Sequence, residues 1–512
     1  MALGRTQCVA LAGIDGHLVD VEADVANGLP TFTITGLPDT SLGEARDRVR
    51  AACANSGVSI PQRRLTVNLS PASLPKAGTG FDLAVAVAVL VAAEVVSEHR
   101  ARGVVHLGEL GLDGQLRAVR GVLPAVLAAA RAGVTQVVVP AANAGEAALV
   151  PGVSVRAAGS LAGLVAFYRG EAASPGEAVS AADPAPTGGA APPDLSDVIG
   201  QHEARAALEV AAAGGHHVFL VGPPGSGKTM LACRLPGLLP DLEVDAALEV
   251  TAVHSLAGIL PVGGGLLTRP PFIDPHHTAS PASVVGGGSG MPRPGAASRA
   301  HHGVLFMDEA PEFDTRVLDA LRQPLESGEL VIHRAGGVAR YPARFQLVLA
   351  ANPCPCGRAT GKGADCTCTP MARRRYLHRL SGPLLDRVDL QVPVLSVTRA
   401  AMDPDALAES TAVVAARVGV ARAVQRERWA GTPWRLNAEV PGRDLRRGRW
   451  RLGPGATMIL DRGVERGILT VRGYDRTLRC AWTLADLAGR TIPGADDVSL
   501  AFALRDHGAV AA

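Results

Sequence analysis

Lysine is nearly absent from this 512-residue chain: Lys76, Lys228 and Lys362 are the only three among 50 basic residues, and arginine supplies the rest. An arginine- and alanine-rich coding bias accounts for most of that. Against such a background, a lysine kept inside a glycine-rich loop marks a place where a compact ammonium suits better than arginine's broad fork. Net charge is also nearly absent, formally +2 at pH 7, so no global field draws the chain toward nucleic acid or a membrane surface. Any such contact has to come from local patches. Long charge-free apolar runs are missing too. The longest apolar stretch, Phe81 to Val96, is mostly alanine and valine but carries Asp82 and Glu94, which points to a buried helix and not a membrane span. The N-terminus lacks the basic-then-apolar pattern of a secretory signal, so a cytoplasmic protein is expected. Its cysteines would then be reduced, and a cluster of them is read as a metal site before a disulfide.

What is present is best read from one stretch. His217-Val-Phe-Leu-Val221 runs into Gly222-Pro223-Pro224-Gly225-Ser226-Gly227-Lys228-Thr229 and a helix over Met230 to Arg234. A buried strand that breaks into a glycine-rich loop and re-enters a helix leaves backbone N–H groups ringed at a helix N-terminus, where a triphosphate is cradled. This is a Walker A loop in the context it requires. Lys228 is expected to reach the β- and γ-phosphates of ATP, and the Thr229 hydroxyl to hold Mg2+. Gly303-Val-Leu-Phe-Met-Asp308-Glu309 is a second buried strand closing on two carboxylates, a Walker B motif. Asp308 would hold Mg2+ through water, and Glu309 would polarise the attacking water as general base. Gln346-Leu-Val-Leu-Ala-Ala-Asn352 is a third strand, and its terminal amide fits a sensor-1 residue that orients the water.

Arg387, in Leu380-Ser-Gly-Pro-Leu-Leu-Asp-Arg-Val-Asp-Leu, stands where an arginine finger is expected, offered to the nucleotide of a neighbouring subunit. The active form is then a homo-oligomeric ring. Asn437 to Gly508 reads as several helices with arginine-rich faces, suited to a small lid. Either Arg472 or Arg476 would fold onto the γ-phosphate as sensor 2, with Arg472 preferred.

At this length two to four domains are expected. Residues 1–170 read as one α/β domain, with paired strands at Val9 to Leu11 and Val19 to Ala23, strands at Phe32 to Gly36 and Leu65 to Leu69, and a helix over Ser41 to Asn55. A hairpin around Asp113-Gly114, a helix over Val122 to Ala132 and a closing strand Gln136 to Pro140 complete it. This order, with Pro75-Lys-Ala-Gly-Thr-Gly80 and the Gly108 to Val122 segment, resembles the proteolytic domain of Lon proteases, a fold of the ribosomal-protein-S5 type. A Lon dyad needs a hydroxyl and an amine in hydrogen-bond reach. Here the serine position falls on Gly80 and the lysine position near Leu123, so no peptidase is expected, and Lys76 and Asp82 are read as loop-structuring residues. Residues 171–193 are Ala, Pro, Gly, Ser and acids without hydrophobic period, a flexible tether.

The ordered motifs after it are the signature of the AAA+ superfamily, with a core over 194–398 and a helical lid over 399–512. Pro275-His-His-Thr-Ala-Ser-Pro, Pro292-Arg-Pro-Gly, Ala300-His-His-Gly-Val-Leu-Phe-Met-Asp-Glu-Ala-Pro-Glu-Phe, Leu321-Arg-Gln-Pro-Leu-Glu-Ser-Gly and Asn352-Pro-Cys-Pro-Cys-Gly resemble the magnesium-chelatase-like ATPases of the YifB/ComM family. Ala296 stands where that family usually has glutamate, and Trp482 where it has arginine. The resemblance implies a ring motor, expected to be hexameric, that hydrolyses ATP and remodels DNA by branch migration or helicase action. A protein unfoldase and the ATPase subunit of a metal chelatase are the rivals. The resemblance also makes Val253 to Arg299 a helix-2 insert and Glu329 to Pro342 a pre-sensor-1 hairpin turning at Gly336-Gly337. Both would face a central channel, where Arg334, Arg340, His276 and His277 would touch a threaded polymer.

Cys354, Cys356, Cys366 and Cys368 form C-x-C-x9-C-x-C. Four thiolates suit a structural tetrahedral Zn2+, with paired free thiols or a redox switch as alternatives. Arg373 to Arg379 beyond it is either a phosphate-binding stretch or a solvated helix face.

Overall fold

A computed structural model describes residues 2–36, 39–76, 78–175, 193–261, 264–288, 292–334, 337–359, 366–396 and 408–505. Most of the tether of residues 171–193, and the tip of the hairpin at residues 335 and 336, lie outside the described residues.

Alternating apolar and polar residues at the start of the chain form a long hairpin, Ala2–Ala12 paired antiparallel with Asp15–Ala26. It is the middle of a seven-stranded mixed sheet whose spatial order is Thr31–Thr35, Arg64–Ser70, Asp15–Ala26, Ala2–Ala12, Val104–His106, Gln136–Pro140 and Ser154–Ala158. The strand Gln136–Pro140 therefore does not close the sheet. Ser154–Ala158 pairs parallel outside it and is followed by the helix Leu161–Arg169. That edge strand was missed because Ser-Val-Arg-Ala-Ala carries little β-propensity. The helix expected over Ser41 to Asn55 is interrupted at Glu44, leaving a short turn Thr40–Gly43 and a helix Ala45–Asn55.

The apolar run becomes the helix Asp82–Ala92, buried on every side. Its one charge is neutralised in place: Arg48 grips the Asp82 carboxylate with two hydrogen bonds of 2.7 and 2.9 Å, and the Leu110 amide donates a third at 3.2 Å. Lys76 is likewise buried, its ammonium donating to the carbonyls of Gly36 and Pro71.

The second sheet has five parallel strands in the order Phe272–Ile273, Val304–Met307, Gln346–Ala351, Val218–Val221 and Leu390–Pro393. Both faces are covered, so the inner strands are continuous apolar runs. The edge strand Phe272–Ile273 lies inside the stretch read as a helix-2 insert, so that stretch is not all protrusion. Two residues carry no period by which a strand is recognised. The expected hairpin is present as Glu329–Arg334 paired with Gly337–Pro342.

C-terminal to this sheet, the helix Thr411–Arg428 packs on His202–Gly214, and Pro454–Glu465, Val471–Leu487 and Ala495–Ala503 pack on one another. All four tryptophans of the chain, Trp429, Trp434, Trp450 and Trp482, meet here in two edge-to-face pairs and one tilted pair, with ring centroids 4.9 to 6.0 Å apart along the cluster. Trp482 lies under the Arg428 guanidinium, 4.6 Å from its ring centroid. Ala296, the other departure from the family pattern, is buried in the turn Ala296–Arg299.

The two sheets are joined by direct contacts. Gly13, at the tip of the first hairpin, has φ +70° and sits where a Cβ would lie 2.3 Å from the Arg340 carbonyl oxygen. The Ile14 amide donates to that same oxygen at 3.1 Å. On the neighbouring face, the Ser255 hydroxyl of the helix Val244–Ala257 donates to Glu146, which also accepts from the Leu123 amide at 2.8 Å.

Candidate functional site

Three adjacent parallel strands, Val304–Met307, Gln346–Ala351 and Val218–Val221, end on one edge of the second sheet. Their carboxyl ends deliver Asp308, Asn352 and the Gly222 loop side by side, the edge at which open α/β sheets form ligand crevices. The loop is tightly seated. A Cβ on Gly222 would lie 2.1 Å from the Val394 carbonyl oxygen, and Gly225 and Gly227 hold φ of +74° and +93° before the helix Lys228–Ala232 begins.

Lys228 folds back over this loop, donating to the carbonyls of Gly222 and Pro223 at 2.8 and 2.9 Å and to Asn352 Oδ1 at 3.2 Å. Burial lowers the pKa of its ammonium while Asp308 and Glu309 oppose the shift. The Thr229 hydroxyl donates to Asp308 Oδ2 at 2.6 Å, and Asp308 Oδ1 accepts from the Glu309 amide at 2.9 Å. Glu309 holds φ +51°, a left-handed conformation that costs a non-glycine residue about 1 kcal/mol or more and is concentrated at functional sites.

His277 was expected to line a channel. Its Nδ1 instead lies 3.1 Å from Glu309 Oε2, and the His276 ring packs against it at 4.2 Å between centroids. The pairing brings together two loops far apart in sequence, so no local pattern announces it. Gln201 was also missed. It holds φ +52°, and its side-chain amide donates to the Ser226 carbonyl at 3.2 Å, tying the segment before the first core helix to the P-loop.

Other expected residues lie elsewhere. The Arg387 guanidinium is largely buried and engaged by Glu326 and the Pro383 carbonyl. Arg472 is exposed in the first turn of the helix Val471–Leu487. Arg476, one turn on, is paired at 2.6 Å with the buried Asp389, which also accepts from the His217 amide at 2.9 Å. Arg340 is tied through its backbone to the first sheet, while its exposed side chain lies 3.9 Å from Glu329. Arg334, Arg374, Arg375 and Arg379 are exposed, Arg379 pairing with Glu312 at 3.2 Å.

Cys354, Cys356, Cys366 and Cys368 bring their sulfurs within 4.8 Å of one another. Glu249, His301 and His302 form a second group of ligand-type side chains. In that group His301 Nδ1 accepts from the Arg344 amide at 3.0 Å, so the neutral ring carries its proton on Nε2, facing Glu249 at 3.0 Å. A nitrogen so protonated has no lone pair for a metal, and the group reads as a hydrogen-bonded junction.

Family models described as "Magnesium chelatase, subunit ChlI", "Subunit ChlI of Mg-chelatase" and "Magnesium chelatase, subunit ChlI C-terminal" match residues 194–402, 21–143 and 408–505. An uncharacterized protein of Mycobacterium tuberculosis is 54% identical over 509 residues, covering 99% of this chain and 100% of that protein. The competence protein ComM of Haemophilus influenzae is 41% identical over 491 residues, 96% of this chain and 94% of ComM. The uncharacterized protein YifB of Escherichia coli is 41% identical over 492 residues, 95% of this chain and 94% of YifB.

Proposed function

The chain belongs to the magnesium-chelatase-like YifB/ComM family, and from that premise we propose that it is an ATP-hydrolysing AAA+ ring motor that remodels DNA by branch migration or helicase action. The observation that carries the ATPase reading is the convergence of Lys228, Thr229, Asp308 and Asn352 at the carboxyl ends of three neighbouring strands. The residues suit a triphosphate. Among the described residues Lys228 holds only carbonyl and amide oxygens, and the Ser226 hydroxyl beside it is buried without a hydrogen-bond partner. They suit Mg2+ as well, since a hydroxyl and a carboxylate oxygen 2.6 Å apart are the hard donors that ion prefers.

In this reading Lys228 leaves the loop carbonyls for the β- and γ-phosphates, and Thr229 and Asp308 would hold Mg2+, which would supply charge neutralisation for the triphosphate. Glu309 takes the proton of the attacking water, His277 holds its carboxylate in place, and Asn352 orients the water. Arg387, once released from Glu326 and the Pro383 carbonyl, reaches the nucleotide of the next subunit, and Arg472 serves as sensor 2. Arg476 is already committed to Asp389, which favours Arg472 for that role. A structural Zn2+ at the four cysteines completes the set of cofactors. The organisation that goes with this is a Lon-like domain without a dyad over 1–170, a tether over 171–193, the core over 194–398 and the lid over 399–512.

The DNA half of the reading rests on likeness to a competence protein and on the exposed arginines Arg334, Arg374 and Arg375. Its test is the ATPase rate with no polymer, single-stranded DNA, a four-way junction and a denatured polypeptide. Stimulation by DNA that falls steeply with salt is expected. Stimulation by the polypeptide alone would move the assignment to an unfoldase. A chelatase role would need a separate metal-adhesion partner.

A further inference from the structure

The cysteine cluster has the dimensions of a metal site. The sulfurs of Cys354 and Cys356 are 3.4 Å apart, those of Cys354 and Cys366 3.7 Å, and those of Cys356 and Cys366 3.6 Å. A disulfide would hold two sulfurs at about 2.05 Å. Sulfurs bound at about 2.3 Å to one tetrahedral zinc stand about 3.8 Å apart along the edges of the tetrahedron, close to all three separations. An all-sulfur set selects zinc over magnesium or calcium, and with four ligands it leaves no open position for substrate.

The cluster's position suggests what such a metal would do. Cys354 follows Asn352 by one proline, and Gly357, inside the same loop, lies directly against the P-loop. A Cβ on Gly357 would stand 2.5 Å from Pro224 Cδ and 2.6 Å from Pro224 Cγ, and the residue holds φ +75°. The Gly357 amide donates to the Cys354 carbonyl at 3.0 Å, so this contact is set by the fold of the cysteine loop itself. Asn352 on one side and Pro224 on the other are thus held by one short loop.

We propose that Cys354, Cys356, Cys366 and Cys368 hold one structural Zn2+, and that this metal loop braces the P-loop through Gly357 and Pro224, making nucleotide affinity depend on zinc. The metal site stands on the sulfur geometry alone. The brace rests on the reading of residues 222–229 as the nucleotide site.

Elemental analysis of the purified full chain is expected to give about one zinc per chain, and Cys366→Ser with Cys368→Ser about none. Cobalt exchanged into the unaltered chain is expected to show the visible absorption bands of a tetrahedral tetrathiolate site, a readout that needs no variant. Native protein with four titratable thiols, no zinc and no such bands would overturn the site. For the brace, a fluorescent ATP analogue is expected to bind at least about 10-fold more weakly to the double variant, with far-ultraviolet circular dichroism preserved. Gly357→Ala should keep its zinc and still bind the analogue more weakly. Unchanged affinity in both would overturn the brace and leave the metal site standing. An unaltered, zinc-loaded chain that fails to bind the analogue would instead count against the nucleotide site.

Discussion

The Lys228 ammonium is held, among the described residues, by neutral oxygens, with the Asp308 and Glu309 carboxylates near enough to act on its charge. Removing it should abolish binding, so Lys228→Ala is expected to lose affinity for a fluorescent ATP analogue by at least about 100-fold. Glu309→Gln keeps the shape of the site and removes the base. It is expected to bind the analogue normally and hydrolyse ATP at least about 100-fold more slowly, and turnover at the parental rate would refute the assignment. His277 is paired with Glu309 at 3.1 Å, so His277→Ala is expected to lower kcat by about 10-fold with nucleotide affinity unchanged, a split that steady-state kinetics resolves. These residues were not equally legible. The P-loop and the Asp308-Glu309 pair stand out because each follows an apolar run in an unbroken stretch of sequence. His277 does not, because its partner is reached only when two strands align side by side.

At the scale of elements, the buried parallel strands could be read from sequence as uninterrupted apolar runs, while the edge strands Phe272–Ile273 and Ser154–Ala158, short or weakly β-forming, could not. One tie of the helix Val471–Leu487 to the second sheet was also hidden, since the ion pair of Arg476 with Asp389 is made across 87 residues and adds to helix packing and to the pairs Arg428–Asp486 and Arg446–Asp475. Asp389 is buried, and removing its charge takes from Arg476 the carboxylate it pairs with at 2.6 Å. Such a loss costs about 3 kcal/mol. Asp389→Asn is therefore expected to speed amide hydrogen exchange in that helix by about 100-fold, and unchanged protection would show that packing alone holds it.

Across the whole molecule, histidines whose surroundings oppose protonation, His106, His217, His254 and His301, shape the response to acid. Burial lowers His217 and His301 to about 4 and His106 to about 3, from an ordinary value of 6.5. Below pH 6.5 the unfolded chain takes up protons that the folded chain refuses, so stability falls as pH drops from 6.5 toward 4, by about 1.4 kcal/mol per pH unit for each histidine. Urea midpoints measured across that range should decline, and a flat profile would contradict these environments. Assembly is tested by mixing. If Arg387 acts on a neighbour's nucleotide, Arg387→Ala and Lys228→Ala chains, each inactive alone, should recover ATPase activity together, and no recovery at any ratio would count against a shared site. Val413, Val420 and Val424 lie exposed along one face of the helix Thr411–Arg428. The tryptophan cluster gives such experiments a built-in reporter. Because every indole sits among the C-terminal helices, the protein's intrinsic emission colour and quenching speak for that end alone, and a shift seen on adding nucleotide would locate the motion without any attached dye.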